Sequence, residues 1–330
     1  MNVGLVGAGN ISDTHARAAL AAGLQIAGVY GDNHGKARQL AERYGAAAFS
    51  TLDALFAHPS LDVVIIGSPS GCHAQQAIAA ARSGRHVLVE KPLDISTARI
   101  DRLLKEVTRA GVVCGVCFQD RLKPAVVDMK RRIDAGEIGT LLLATGEVKW
   151  FRPPEYYSTS RWRGTWALDG GGALMNQGIH TVDLMLYLLG EVRSVSGLIS
   201  TRFHEIKAED TATVLVEFLN GAHGTLDVTT AAYPGAPRRL RITGSKGSLW
   251  LEGDQLLDAS APRDSVPENA VSATVSDASA HQRIIEDFVD AIRNGRRPIC
   301  DGAEGRRSVA VVEAVYRSAR EKTSIALISP

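Results

Sequence analysis

The chain begins with MNVGLVGAGNIS, residues 1–12, and this stretch decides the fold of its first part. The apolar residues before the glycines predict a strand, and the residues after them follow the period of a helix. In a strand–turn–helix unit of this kind, Gly7 permits the sharp turn and Gly9 lets the backbone approach a pyrophosphate. The N–H groups at the helix start, Asn10 and Ile11, then bind the anion. Glycines alone also fit an ordinary turn, but their place between a strand and a helix predicts a dinucleotide-binding site.

Strands and helices continue to alternate up to about residue 120, which predicts an α/β domain with a doubly wound parallel sheet. The predicted strands are 25–30, 62–67, 86–89 and 112–118, and the predicted helices are 36–44, 52–56, 74–83 and 97–110. The run Val63 to Ile66 is apolar throughout, as expected of a central strand that is covered on both faces. We therefore assign residues 1–120 to a Rossmann domain.

Candidate ligand-binding residues lie where the predicted strands end, because open α/β sheets bind ligands beyond the carboxyl ends of their strands. They are Ser68, Pro69 and His73 after one strand, Glu90 and Lys91 after the next, and Gln119 after the last.

Asp32 follows the second predicted strand, at the place where an acidic residue binds the ribose hydroxyls of NAD. In many such folds the carboxylate comes one residue earlier, where this chain has Gly31. A carboxylate here disfavours the 2′-phosphate of NADP, and no Arg or Lys is adjacent to compensate. We therefore expect NAD as the cofactor, while NADP stays open. The structural alternative for Asp32 is a turn former beside Asn33 and Gly35.

A second stretch, GGGALMNQGIHTVD at residues 170–183, predicts a helix that ends at Gly190. Asn176, His180 and Asp183 stand at i, i+4 and i+7 and would share one face. The other positions are apolar, so these polar groups must be satisfied by protein, water or ligand. A lone histidine in such a helix is most often hydrogen-bonded inside a core. Three polar groups in line behind a glycine run favour a functional site.

An aromatic and basic segment, residues 150–166, precedes this helix. Its prolines and its lack of apolar periodicity predict a loop. Aromatic faces with arginines suit a sugar, a phosphate or a carboxylate, and rings packed into the core are an equally good interpretation. We expect Tyr156, Arg161 or Trp162 to help form a substrate pocket.

Residues 121–330 predict a second, α+β domain. A helix at 124–135 and a strand at 141–150 are followed by strand-like runs at 194–201, 211–218, 224–230, 238–243 and 248–252. Such consecutive runs predict a large, mainly antiparallel sheet with one open face, on which a second subunit can pack. Residues 258–280 predict a long loop.

The composition excludes several classes of protein. The formal net charge is +1, so no basic surface indicates nucleic acid or an anionic membrane as a partner. No apolar run is long enough to span a bilayer, and the N-terminus lacks signal-peptide features, so we expect a cytoplasmic protein. Cys114 and Cys117 fall in a predicted buried strand without partners at zinc spacing. We expect them to be core residues and expect no metal site.

Three motifs occur in order along the chain: GAGNI at 7–11, EKP at 90–92 and the glycine helix at 170–183. Together they resemble the Gfo/Idh/MocA family, which includes glucose–fructose oxidoreductase and inositol dehydrogenase, over almost the whole chain. The resemblance implies that Lys91 lies near the nicotinamide and the substrate hydroxyl, and that His180 is the acid–base residue. Asn176 replaces the aspartate of many relatives and is expected to bind substrate through hydrogen bonds. Asp183 is placed in the same site, where it orients His180 or anchors the helix.

The resemblance also implies that residues 281–293 and 306–318 form the closing helices, the last of which can pack back on the first domain. The reaction that it implies is hydride transfer between a secondary alcohol and a nicotinamide cofactor. The alcohol belongs to a sugar or polyol, either free or within a nucleotide sugar. A histidine suits the role of general base because imidazole titrates near neutrality, and Lys91 would hydrogen-bond the hydroxyl oxygen. A homodimer or homotetramer through the second sheet is implied as well. Two alternatives stay open: an NAD-dependent glycosidase that works by transient oxidation, and a non-catalytic dinucleotide sensor. The presence of both Lys91 and His180 argues against the sensor.

Overall fold

The computed structural model describes residues 1–258 and 277–327. The strands are β1 (Asn2–Val6), β2 (Gln25–Tyr30), β3 (Ala47–Phe49), β4 (Val63–Ile66), β5 (His86–Val89), β6 (Cys114–Val116), β7 (Leu141–Lys149), β8 (Val192–Ser200), β9 (Thr211–Phe218), β10 (His223–Thr229), β11 (Arg239–Gly244), β12 (Ser248–Glu252), β13 (Gln255–Asp258) and β14 (Ile325–Ala326). The α-helices are α1 (Asn10–Ala21), α2 (His34–Arg43), α3 (Leu52–Phe56), α4 (His73–Arg82), α5 (Thr97–Ala110), α6 (Pro124–Asp134), α7 (Glu155–Ser158), α8 (Ile179–Leu189), α9 (Ser279–Asn294) and α10 (Gly302–Glu321). None of the helices in these residues is long and apolar enough to cross a membrane.

The described residues fall into two compact units. Unit 1 contains residues 1–119 and 277–306, and unit 2 contains residues 120–258 and 307–327. The sequence placed the main boundary at residue 120 and kept everything after it in one domain, whereas α9 belongs to unit 1, where it packs against α1.

Unit 1 is built on a six-stranded sheet in the order β3-β2-β1-β4-β5-β6, with every neighbouring pair parallel. This confirms the predicted doubly wound fold. The strand order reverses between β1 and β4, and such a reversal opens a crevice for ligands at the carboxyl ends of the strands. All four residues of β4 are buried, as the apolar run predicted.

The last strand of this sheet is shorter than predicted, because only Cys114–Val116 pair in it and Gln119 already begins a 3-10 turn. Cys114 is 6% exposed and Cys117 is fully buried, which confirms the expected core positions. Burial raises the pKa of the Cys114 thiol to about 12, so this thiol is a poor nucleophile. The short β3 had not been predicted.

Unit 2 is built on an eight-stranded sheet in the order β13-β12-β11-β7-β10-β9-β8-β14. Its pairs are antiparallel except for β7 with β10, which confirms the predicted, mainly antiparallel sheet. Two strands at the edges, β13 and β14, had not been predicted. The predicted loop at 258–280 falls largely on residues 259–276, which lie outside the described residues; Asp258 ends β13 and Ser279 begins α9.

The predicted helix after the three glycines differs in its first turn. Residues Leu174–Gly178 form a π-helical turn, and only then does α8 begin, to end at Gly190 with φ of 96°. The apolar residues of α8 are buried on most sides. A π turn widens the helix and changes the rotation between residues before and after it, and such turns are frequent at functional sites.

Candidate active site

The glycine turn after β1 has the shape that a bound dinucleotide requires. Gly7 has φ of 110°, and a Cβ added to it would lie 2.7 Å from the carbonyl oxygen of Gly67. Gly9 caps α1 without a side-chain hydrogen bond, and a Cβ added there would meet no atom within 4 Å. The start of α1, at Asn10 and Ile11, therefore lies beside open space. This cradle of backbone fits a pyrophosphate at a helix N-terminus.

Asp32 is exposed after β2, and its Oδ1 accepts a hydrogen bond of 3.0 Å from the Tyr30 hydroxyl. Gly31 is buried against the glycine turn, because a Cβ on it would lie 3.0 Å from the Cβ of Ala8. A side chain at position 31 would crowd that turn. The structure thus gives a steric reason for a carboxylate at position 32, where the tyrosine holds it in place.

The turn that carries Lys91 is anchored by its neighbour Glu90, which is 7% exposed. Glu90 Oε1 lies 2.8 Å from Nε2 of His15 and 3.8 Å from Nε2 of His281, and Oε2 accepts the backbone N–H of Lys91 at 3.0 Å. Burial by itself raises the pKa of Glu90, but His15, His281 and Lys91 outweigh it and lower the pKa to about 2. Glu90 is therefore an ionised anchor that fixes the main chain at Lys91.

A cysteine completes this buried cluster. The ligand-type atoms of His15, Glu90 and Cys117 all lie within 4.8 Å of one another, a spacing that a metal ion could use. The contact between Nε2 of His15 and Oε1 of Glu90 is a hydrogen bond at 2.8 Å, which joins these two atoms without an ion.

His73 bridges the two segments that follow β4 and β5. It is 1% exposed, and its Nδ1 and Nε2 lie 2.8 Å from the carbonyl oxygens of Pro92 and Ser68. Both ring nitrogens thus contact main-chain carbonyl oxygens, which gives His73 a structural role, while the cofactor contact predicted for it stays a prediction. Pro69 is half-buried in the same segment, while Gln119 carries a buried Oε1 without a hydrogen-bond partner. That oxygen is an acceptor that no described residue uses.

In unit 2, His180 lies beside a carboxylate that the sequence had not indicated. Its Nδ1 is 3.8 Å from Oδ2 of Asp120, and its side chain is 13% exposed. Asp120 also pairs with Arg238, and with Lys123 at 2.8 Å. Burial acts to raise the pKa of Asp120, but Arg238, His180 and Lys123 together bring it well below its ordinary value. Asp120 is therefore a buried, permanently charged neighbour of the histidine.

Asn176 and Asp183 have different surroundings. The Asn176 amide donates a 2.8 Å hydrogen bond to Oδ1 of Asp169, and it is half-buried. Asp183 is 1% exposed and forms a two-point ion pair with Arg121, at 2.9 and 2.6 Å. This geometry favours the second of the two roles proposed for Asp183, an anchor of the helix.

The three glycines allow a tight contact at the start of the helix. A Cβ on Gly172 would lie 1.8 Å from the carbonyl oxygen of Glu209. The Glu209 carboxylate accepts hydrogen bonds of 2.9 Å from the N–H groups of Gly172 and Leu174 and from the Tyr316 hydroxyl. Burial outweighs these hydrogen bonds and raises the pKa of Glu209 to about 7. Glu209 thus fixes the main chain at the start of the π turn.

The three residues predicted for a substrate pocket lie in or near α7. Tyr156 is half-buried, and its hydroxyl accepts a 3.2 Å hydrogen bond from Gln177 next to Asn176. Trp162 is half-buried and Arg161 is exposed. The alternative of rings packed into the core holds for Tyr157, which is 8% exposed and bonded to Thr230 at 2.9 Å. Within this segment, Tyr157 is therefore packed in the core, whereas Tyr156 belongs to the surroundings of Asn176.

Comparison with known proteins identifies both halves of the chain. Residues 1–118 match the family model described as "Oxidoreductase family, NAD-binding Rossmann fold", and residues 126–250 match "GFO/IDH/MocA C-terminal domain". A scyllo-inositol 2-dehydrogenase (NAD(+)) of Bacillus subtilis is 30% identical over 307 residues, 89% of this chain and 86% of that protein. A UDP-N-acetylglucosamine 3-dehydrogenase of Acidithiobacillus ferrooxidans is 29% identical, with 94% of each chain covered.

A solved structure is similar over the full length. The WlbA dehydrogenase of Bordetella pertussis, in complex with NADH and UDP-GlcNAcA, superposes with a TM-score of 0.90 at 32% identity. The match covers 100% of this chain and 98% of that one.

Proposed function

The chain belongs to the Gfo/Idh/MocA family of oxidoreductases, and we propose that it is an NAD-dependent dehydrogenase of a secondary hydroxyl on a sugar or polyol derivative. The observation that carries the proposal is the half-buried His180 beside the charged Asp120, on the helix that also presents Asn176. The glycine cradle, Asp32 and the unused acceptor of Gln119 fit NAD, which when bound supplies the hydride acceptor or donor.

His180 is the general acid–base residue in this proposal. The Asp120 carboxylate is on the Nδ1 side of the ring, so Nε2 is the atom that takes the hydroxyl proton. The negative charge of Asp120 stabilises the imidazolium that forms, and Arg238 and Lys123 keep Asp120 ionised while this happens. Asn176 would hold a neighbouring hydroxyl of the substrate through its amide.

Lys91 is the second catalytic residue in this proposal. Its ammonium would hydrogen-bond the reacting oxygen and stabilise the negative charge that develops there. The anchoring of its backbone by Glu90 supports this role, because a charge that stabilises a transition state must be held in place before the reaction begins.

The relatives support the proposed substrate class. They include a scyllo-inositol 2-dehydrogenase, a UDP-N-acetylglucosamine 3-dehydrogenase and a dehydrogenase whose structure was solved in complex with UDP-GlcNAcA. We therefore propose that the substrate of this chain is a ring-shaped polyol or sugar, either free or linked to a nucleotide.

The test is to replace His180 with alanine and follow two readouts. Nicotinamide fluorescence should show NADH binding as in the wild type, with NADPH binding more weakly to both proteins. Turnover of a screened sugar or polyol with NAD should fall by about 10²- to 10⁴-fold, the usual contribution of a positioned acid–base group. Normal turnover in the variant would remove the assignment. NAD that stays with the protein until it is unfolded would favour the glycosidase mechanism instead.

We also propose that the open face of the second sheet joins subunits into a homodimer or homotetramer. Three leucines are exposed on this face: Leu143 by 53%, Leu198 by 75% and Leu215 by 58%. The register of β7, β10, β9 and β8 places them on the same side of the sheet. Light scattering after chromatography should show an oligomer that Leu198→Glu with Leu215→Glu dissociates. A monomeric wild-type protein would contradict the proposal.

A further inference from the structure

The segment before the π turn holds two arginines on one aromatic ring. The guanidinium of Arg163 lies 4.2 Å from the centroid of the Tyr156 ring, and that of Arg152 lies 5.0 Å from the same centroid. The Arg163 guanidinium also lies 5.4 Å from the ring centroid of Trp162, and the Arg152 guanidinium lies 5.3 Å from that of Trp150. Rings of this kind hold a guanidinium in one orientation and remove much of its freedom.

Arg163 has few polar contacts for a group so firmly held. Its Nη1 donates a long hydrogen bond of 3.4 Å to the carbonyl oxygen of Tyr156, and its buried Nε has no acceptor. No carboxylate lies within ion-pair distance of it anywhere in residues 1–258 and 277–327. A guanidinium offers five N–H donors, so the described residues use only a small part of the hydrogen-bonding capacity of Arg163.

This cluster is connected to the helix of the proposed active site. The N–H of Gly164, next to Arg163, donates to Oδ2 of Asp169 at 2.8 Å, and Oδ1 of Asp169 accepts from Asn176. The Tyr156 hydroxyl accepts from Gln177. The cationic ring cluster is therefore fixed to the π turn that presents Asn176, one helical turn before His180.

We propose that Arg163, supported by Arg152 on the Tyr156 ring, binds an anionic substituent of the substrate, so that the substrate is an acidic sugar derivative. The chemistry is a carboxylate or phosphate oxygen facing a planar guanidinium, which such groups bind through two parallel hydrogen bonds. A carboxylate on the sugar ring and a phosphate linked to it offer the same contact. This inference rests on the proposed function and narrows its substrate class.

The experiment measures binding to the enzyme with NADH present, by calorimetry, for four probes: D-glucose, D-glucuronate, D-glucose 1-phosphate and UDP-glucose. At least one anionic probe should bind about 10- to 100-fold more tightly than glucose, the range expected for a charge-assisted hydrogen-bonded pair. Arg163→Gln should remove that preference and leave glucose binding unchanged, and Arg163→Lys should restore only part of it. Glucuronate against glucose 1-phosphate distinguishes the carboxylate from the phosphate.

Arg241→Gln is the matched control, because Arg241 also stacks on a tryptophan, Trp250, at 5.6 Å, but lies exposed on β11. It should keep the anionic preference of the wild type. Equal affinity for all four probes, or a preference that survives in Arg163→Gln, would overturn the inference. Neither result would touch the proposed function, which fails only if turnover does not depend on His180.

Discussion

Replacing Glu90 with glutamine keeps the size of the side chain and removes the charge that anchors the turn of Lys91. The carboxylate is held by His15 at 2.8 Å and by the N–H of Lys91 at 3.0 Å, with His281 at 3.8 Å. Glutamine can still accept one of these hydrogen bonds, so the change in stability measures the charge rather than the shape.

The expected loss follows from the pKa of Glu90. Burial raises this pKa, but the two histidines and Lys91 bring it from 4.5 down to about 2. At 1.36 kcal/mol per pKa unit, the ionised form contributes about 3 kcal/mol to the stability of the fold. Because the folded pKa lies below the unfolded one, this contribution is complete above about pH 4.5 and is lost as the pH falls toward 2. About 2 kcal/mol should remain at pH 3.5.

Thermal unfolding of the two proteins tests this value. At pH 7, Glu90→Gln should lower the Tm by roughly 6–12 °C, as expected for about 3 kcal/mol in a unit of this size, and the difference should shrink at pH 3.5. The control is Glu106→Gln. Hydrogen bonds from Arg82 and Arg109 also lower the pKa of Glu106 to about 2, but at the surface, where ion pairs contribute little. A loss no larger than that of the control, or one that does not shrink in acid, would refute the reasoning.

Three other substitutions test the active-site helix. Asp120→Asn should lower kcat by about 10- to 100-fold by removing the charge beside the histidine, with NADH binding unchanged by fluorescence titration. Gly172→Ala should prevent folding, since its Cβ would lie 1.8 Å from the carbonyl oxygen of Glu209; circular dichroism and solubility of the expressed protein check this. Asn176→Asp would bring two carboxylates together at the 2.8 Å contact with Asp169. Its kcat/KM should therefore fall further below wild type at pH 9 than at pH 6.

Local patterns were enough to predict the doubly wound sheet of unit 1 and the glycine cradle. A strand, a turn and a helix that follow one another are encoded by the residues that form them, so the positions of Gly7 and Gly9 could be assigned directly. The same holds for the apolar β4 and for the helix behind the three glycines. The steric conflict that explains Gly31 could not be predicted, because it involves Ala8, which lies in the turn after the neighbouring strand.

Contacts between residues that are distant along the chain could not be predicted from the sequence. Asp120 and Arg238 are far from His180 along the chain, and only folding brings them together. The one available signal was that Asp120 directly follows the last predicted strand end. The helical period also assigned Asp183 to the face of His180, whereas the structure buries it against Arg121. The π turn could not be predicted, because helical faces in the sequence are assigned with 3.6 residues per turn throughout.

The hydrogen-bond partner of Asn176 explains why an amide stands at this position. Asp169 receives the N–H of Gly164 on one oxygen and the amide of Asn176 on the other. A carboxylate at 176 could not donate this hydrogen bond and would repel Asp169. The negative charge beside His180 comes instead from Asp120. A substrate anion bound at Arg163 would therefore lie near the neutral amide of Asn176. A carboxylate at position 176 would instead repel this anion.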